Sequence, residues 1–226
     1  WYIYYKDCYH NIKMSLIKST KEFYKIIIDY KFSIFFFIIY EIFYLLKGYT
    51  GFRFTFSSNK SMTNTIPCPY YFLYLIKKDL NLSRIDSLID FGSGYGRIVH
   101  FFNKNFSLKK ILGIEYASLP YAYCLKKFNK ETNIEFINND FDNFDLKKYC
   151  SENQLSDVCL FFSAPFSKSQ DMVKYISNIN LLKIPKIKII IVNYEYDEIL
   201  KINNLKIITK QYINKNRGFC ICTFGE

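Results

Sequence analysis

The segment Asp90-Phe91-Gly92-Ser93-Gly94-Tyr95-Gly96-Arg97 holds the residues whose types and spacing best suit chemistry. Leu88-Ile89-Asp90-Phe91 reads as a buried strand that stops at Gly92, and Arg97-Ile98-Val99-His100-Phe101-Phe102 reads as the start of a helix. Glycines are needed between them because the chain must turn tightly and bring its backbone close to a ligand. The helix N-terminus then offers free N–H groups and a partial positive charge. Such a turn is a weak signal alone, and its spacing narrows the choice. The glycines alternate as G-x-G-x-G, not as the G-x-G-x-x-G of dinucleotide sites, and no Gly-Lys-Ser/Thr follows as in a P-loop. Asp90 would repel a pyrophosphate and suits a ligand that carries an ammonium or sulfonium group.

Two further acids fall into step with that turn. Leu112-Gly113-Ile114-Glu115 puts Glu115 at the tip of the next strand, about twenty residues beyond the glycines, where a carboxylate can accept both hydroxyls of a ribose. Phe136-Ile137-Asn138-Asn139-Asp140-Phe141 puts Asp140 after the third strand, where it could accept the exocyclic amine of an adenine lined by Phe141. Each acid alone reads equally well as a polar strand end. Together they carry more weight, because ligands of open α/β sheets bind outside the carboxyl ends of the strands.

From about Thr65 onward the chain resembles a class I, Rossmann-like S-adenosylmethionine-dependent methyltransferase. Asp90-Phe91-Gly92-Ser93-Gly94-Tyr95-Gly96 resembles the first motif of that family, Glu115 its ribose-binding acid and Asp140 its adenine-binding acid. The resemblance implies S-adenosyl-L-methionine as cofactor, held by Asp90, Gly92, Ser93, Gly94, Gly96, Glu115, Tyr116, Asp140 and Phe141. It implies methyl transfer by in-line displacement to an acceptor that the sequence does not name, with no metal.

The acceptor side is less regular. Family members that methylate amino groups often carry Asn/Asp-Pro-Pro-Tyr/Phe after the fourth strand, and this chain has Ser163-Ala164-Pro165-Phe166. Ser163 stands where an amide or carboxylate would be, Ala164 replaces a proline, and the Pro-Phe part is kept. Ser163, Pro165 and Phe166 are therefore expected on the catalytic side, with Tyr70, Tyr71 and Tyr95 also facing the methyl group. Ile66-Pro67-Cys68-Pro69-Tyr70-Tyr71 resembles a Pro-rich approach that closes over the cofactor in a subgroup of the family. It reads equally as a rigid turn before a helix that begins near Phe72. His100 is expected to be packed in its helix rather than to act as a base. Two rival functions stay open. One is an NAD(P)-dependent oxidoreductase of Rossmann fold, which the glycine spacing, Asp90 and a terminal hairpin disfavour. The other is a catalytically degenerate S-adenosylmethionine-binding module, which the altered 163–166 segment keeps alive.

These residues need elements to hold them. Short β-type runs at 87–91, 110–115, 134–138, 158–162 and 187–193 alternate with helical ones, the pattern of a parallel sheet with crossover helices. Runs at 205–212 and 218–224 are separated by Asn214-Lys215-Asn216-Arg217, too short for a crossover, and predict an antiparallel hairpin. The expected fold is α/β: a Rossmann-like, seven-stranded, mostly parallel sheet with a C-terminal antiparallel hairpin, flanked by helices. That hairpin matches the last two strands of the resembling family.

Residues 61–226 are expected to form this domain, and 1–60 an aromatic-rich helical extension with a linker at Ser57-Ser58-Asn59-Lys60-Ser61. Within 23–47, Phe23-Tyr24-Lys25-Ile26-Ile27-Ile28 precedes a second apolar run that contains Glu41 and falls short of the ~20 apolar residues of a spanning helix. Aromatics on nearly every face predict burial on more than one side, in the domain or an oligomer, while a membrane-surface or partner contact stays open. The chain starts with Trp, which leaves targeting open.

Composition bounds the rest. The net charge of +11 comes from lysines scattered along the chain, with no tight basic cluster and no specific nucleic-acid signal. Among the seven cysteines only Cys220 and Cys222 are close, and the spacing of a strand turns both to one face, as in a core. Reduced thiols, a cytoplasmic location with membrane association left open, and no structural metal are expected.

Overall fold

Runs of Ile, Leu, Val and Phe supply the strands, and helices cover both of their faces, as parallel sheets require. The computed structural model describes residues 34–50, 53, 67–80, 85–166, 169–182, 184, 186–214 and 217–224. The elements in chain order are α1 (Ile34–Leu46), α2 (Tyr70–Asp79), β1 (Ser87–Phe91), α3 (Arg97–Asn105), β2 (Lys110–Ile114), α4 (Ser118–Lys127) and β3 (Ile134–Ile137). A 3-10 turn (Phe141–Asn143) leads to α5 (Leu146–Glu152), β4 (Val158–Ser163), α6 (Ser169–Leu181) and β5 (Ile187–Val192). The chain ends with α7 (Tyr196–Ile199), β6 (Leu205–Asn214) and β7 (Arg217–Phe224).

The strands form one 7-stranded sheet in the order β3-β2-β1-β4-β5-β7-β6. β1 pairs in parallel with β2 and β4, and β4 with β5, while β7 lies antiparallel between β5 and β6. The fold class read from the sequence is the fold observed, and strand starts agree to within a residue. α2 begins at Tyr70, two residues earlier than expected, because Pro69 already occupies the N-cap with φ −61 and ψ 141. β6 runs on to Asn214 and carries bulges between Ile207 and Thr209 and between Tyr212 and Asn214.

Alternation along the strands builds two cores. Leu88 of β1, Ile111 of β2 and Phe161 of β4 pack with α1, α2 and α3 on one face. Ile89, Phe91, Leu112 and Phe162 pack with Leu146 and Tyr149 of α5 and Met172 and Ile176 of α6 on the other. Phe91 and Phe162 stack in parallel there, with ring centroids 4.7 Å apart.

α1 meets the described part of the domain along one side. It buries a single stripe, Phe37 and Tyr44, against Phe72, Tyr71 and Tyr70 of α2. Phe35, Ile38, Ile39, Ile42, Leu45 and Leu46 stay exposed, Leu46 at 84 %. The reason is geometric: among the described residues, the side of α1 that carries Phe37, Glu41 and Tyr44 is the one that meets the domain. Phe23-Tyr24-Lys25-Ile26-Ile27-Ile28 and the 57–61 linker lie outside the described residues. Among those described, no helix is long and apolar enough to cross a membrane. Cys220 and Cys222 do share a face, with sulfurs 3.4 Å apart, and the six described cysteines are buried free thiols.

Candidate active site

The sheet order reverses between β1 and β4, and the carboxyl ends of these two strands frame a crevice, as expected at a topological switch point. A cavity of about 380 Å³ opens there. Gly92, Ser93 and Gly94 form one wall, Ser163 from the end of β4 another, and Pro67 and Cys68 a third.

The glycine turn is held by its neighbours. Gly92 N and Ser93 N both donate to the Ile114 carbonyl, at 3.0 and 2.9 Å, and Gly96 N donates to the Ser93 carbonyl at 2.9 Å. Gly92 and Gly96 have φ of +79 and +72, where a side chain is strained. A Cβ at Gly96 would also lie 2.8 Å from the Phe128 ring, and one at Gly92 would lie 3.1 Å from Pro165 Cβ.

Beneath this turn Asp90 is wholly buried, and neither carboxylate oxygen has a hydrogen-bond partner among the described residues. Burial, with the nearby Glu115 carboxylate adding to it, pushes the Asp90 carboxyl well above the usual carboxylate range. Ser93 Oγ is likewise buried and unpartnered. Orphaned polar groups are expensive in a core and gain most when a ligand brings a cation or donors to them. They fit the amino-acid end of S-adenosylmethionine, whose ammonium would answer the unpaired carboxylate.

Glu115 is 7 % exposed and already works as a latch. Its Oε2 accepts from Gly94 N at 2.7 Å and its Oε1 from Ala117 N at 2.8 Å. Burial raises its pKa, and the backbone N–H groups of Ala117, Gly94 and Tyr116 offset only part of that rise. Each oxygen keeps a second lone pair, so ribose hydroxyls can still be accepted. Asn138 braces the same loop, donating to the carbonyls of Glu115 and Tyr116 at 2.8 Å each. Asp140 Oδ1 accepts from Asp142 N at 3.2 Å, capping its own 3-10 turn. Tyr116 is mostly exposed. Neither Tyr116 nor Asp140 lines the cavity, which covers only the glycine-turn end. The side chain of Phe141 lies outside the described set.

On the acceptor side, Ser163 lines the cavity together with Cys68. Ala164 has φ +49. Proline is fixed near −65°, so the family's first proline could not occupy this position in this conformation, and the loop has a different path. Pro165 meets the glycine turn at Gly92. Phe166 turns away from the cavity into the second core, where it packs on Phe162 and Tyr175 and its N–H donates to Tyr194 Oη at 2.8 Å. Tyr95 lines the cavity. Tyr70 and Tyr71 do not: Tyr70 is buried with its hydroxyl on the Thr50 carbonyl at 2.7 Å, and Tyr71 packs on Phe36 and Phe37. Aromatic partners on α1 draw both rings away from the cleft.

Several site residues carry no local sequence signal. Arg97, the first residue of α3, points its Nη1 at both oxygens of Glu41 in α1, at 2.7 and 2.9 Å, and at the Cys68 carbonyl at 3.2 Å. Glu41 Oε1 also accepts from Tyr70 N at 3.0 Å, at the start of α2. One carboxylate from the extension thereby ties the glycine turn to the Pro-rich segment. Thr50 and Arg53, from the same extension, line the cavity. His100 is packed, as expected: its Nδ1 lies 3.1 Å from Thr50 Oγ1, and burial next to Lys127 and Lys104 lowers its pKa to about 4.

A family model described as "Putative methyltransferase" matches residues 85–188. An rRNA methylase from Streptococcus thermophilus shares the fold at 15% identity, with 69% of this chain and 97% of that one covered and a TM-score of 0.50. "Putative methyltransferase yhhF" from Escherichia coli does so at 11% identity, with 70% and 87% covered and a TM-score of 0.51. At such identities the likeness is one of fold. No curated protein matches the chain in sequence. The chain thus carries, at residues 85–188, a segment that matches a methyltransferase family model, set within a seven-stranded Rossmann-like sheet that ends in an antiparallel hairpin.

Proposed function

We propose that the cofactor lies across the tips of β1, β2 and β3, with its amino-acid end over Asp90, Gly92, Ser93, Gly94 and Gly96. Glu115 takes the ribose, and Asp140 with Phe141 and Tyr116 takes the adenine. The observation that carries this reading is the pair of orphaned groups, Asp90 and Ser93, under a glycine turn at the switch point. When bound, S-adenosylmethionine supplies an electrophilic methyl group on a sulfonium. The chain's own part is to hold and align the acceptor. Ser163 and Tyr95 are among the polar side chains that face it, and Pro165 packs on the glycine turn at Gly92. His100, lowered to about 4, is a poor general base at neutral pH. Residues 61–226 form the catalytic domain, and the 1–60 extension completes its cleft with Glu41, Thr50 and Arg53.

Hydrogen–deuterium exchange with S-adenosylhomocysteine tests the placement. Added protection is expected at 92–97, 115–117 and 138–143 together. Protection at 92–97 alone would remove Glu115 and Asp140 from the site.

The exposed face of α1 favours a second contact within residues 23–47. We propose that it rests on an anionic membrane surface: Lys47 lies along the Phe43 ring with Nζ 4.1 Å from its centroid, placing a cation at the rim of the apolar face, and the chain is strongly basic.

A further inference from the structure

Arg53 lines the cavity, and Lys127 reaches the Thr50 side chain on the same wall from behind. The Arg53 guanidinium carbon lies 4.4 Å over the Tyr123 ring and 5.7 Å from that of Tyr95. Lys127 Nζ lies 5.7 Å from the same Tyr123 ring and donates to Thr50 Oγ1 at 2.7 Å. Lys104 Nζ sits 5.0 Å over the ring of Tyr49. Thr50, Arg53 and Tyr95 line the cavity together with Gly94 and Ser163.

Among the described residues, none of these cations has a carboxylate within ion-pair distance. Residues 51–66, which surround Arg53 in sequence, contain no Asp or Glu. The crowding is felt. Burial and Arg53 lower the pKa of Lys127, and Lys127 and Lys104 both act against a proton on His100. An ammonium can only donate, so the Thr50 hydroxyl that accepts from Lys127 has its own proton left for His100 Nδ1. His100 is thus held neutral and adds no compensation. A guanidinium whose carbon sits over an aromatic ring still carries N–H donors that suit a planar or tetrahedral anion.

We propose that Arg53 and Lys127 form a seat for an anionic group, a carboxylate or a phosphate, carried by the methyl acceptor. The assignment to the acceptor rests on the methyltransferase reading of the cleft. The seat itself rests on cations without a described carboxylate partner, the Tyr123 ring that both approach, and Thr50, which lines the cavity beside Arg53 and accepts from Lys127.

Inorganic phosphate is the probe, followed by proton–nitrogen correlation spectra of the full chain with S-adenosylhomocysteine bound. Saturable shifts are expected at Thr50, Arg53 and Tyr95, and Arg53→Gln and Lys127→Gln should each weaken the titration about tenfold. Lys127→Gln is expected to bind S-adenosylhomocysteine as the natural protein does. Arg53 is exposed, so Arg53→Gln keeps the test open should Lys127→Gln fail to fold. Shifts that do not saturate, or titrations that both variants leave unchanged, overturn the seat. Competition between phosphate and S-adenosylhomocysteine would hand it to the cofactor's own carboxylate and overturn its assignment to the acceptor. The same phosphate titration without S-adenosylhomocysteine reads the seat independently, so a failure of cofactor binding would not be mistaken for a failure of the seat.

Discussion

Asp90 is the residue on which stability and function pull apart. A carboxyl whose pKa is raised in the folded state favours folding while it is protonated, and that contribution is lost as pH rises through the raised value. At neutral pH the ligand-free protein therefore bears the cost of a buried acid whose oxygens have no hydrogen-bond partner among the described residues. Asp90→Asn is expected to stabilise that state by ~1–3 kcal/mol, because an amide has no charge to desolvate beside Glu115. The same change should weaken binding of S-adenosylhomocysteine, which keeps the ammonium. Urea unfolding at neutral pH and titration calorimetry would read the two effects. A less stable variant with unchanged affinity would mean that Asp90 is a structural group. At this scale the sequence was informative where the signal was local. The glycine spacing, Asp90, Glu115 and Ser163 could all be named from residue type and position. Arg97 could be named but not its partner, because Glu41 is far away in sequence and nothing local in either residue selects the other.

The β/α units were legible because each strand is a short apolar run that ends in a polar tip or a turn, a pattern set by local chemistry. α1 was legible as a helix but not in how it packs. Its aromatics cover every face, so only the Glu41–Arg97 pair and the Phe37 and Tyr44 rings decide which stripe faces inward. The path through Ala164 was also hidden, because its positive φ follows from packing of Pro165 on Gly92 and of Phe166 in the core rather than from alanine itself. The tether leads to a prediction about elements. Glu41→Gln keeps the shape but removes the carboxylate charge that pairs with the buried Arg97, which should cost about 3 kcal/mol, the lower end for breaking a buried pair. Loss of affinity for S-adenosylhomocysteine is expected alongside, because Arg97 opens the helix that follows the glycine turn. Unfolding and binding measured on one preparation check it. If stability fell with affinity intact, the tether would serve only to dock α1.

Across the molecule, the sheet order assembles residues from distant parts of the chain at one switch point, while the extension contributes to the same cleft. The exposed face of α1 gives the whole chain a side that differs from the rest. On that basis Ile39→Glu with Ile42→Glu, both outside the stripe packed on α2, should abolish flotation with anionic vesicles and leave the fold unchanged. Flotation that survives the pair, or its absence in the natural chain, would point instead to a second copy or another partner on that face. The central claim is the cofactor, and titration calorimetry of the full chain with S-adenosylhomocysteine and with NAD tests it most directly. S-adenosylhomocysteine is expected to bind, Glu115→Ala and Asp140→Ala each to weaken it by ~1–3 kcal/mol from unmade hydrogen bonds, and NAD to give no heat. Binding of NAD alone would contradict the account.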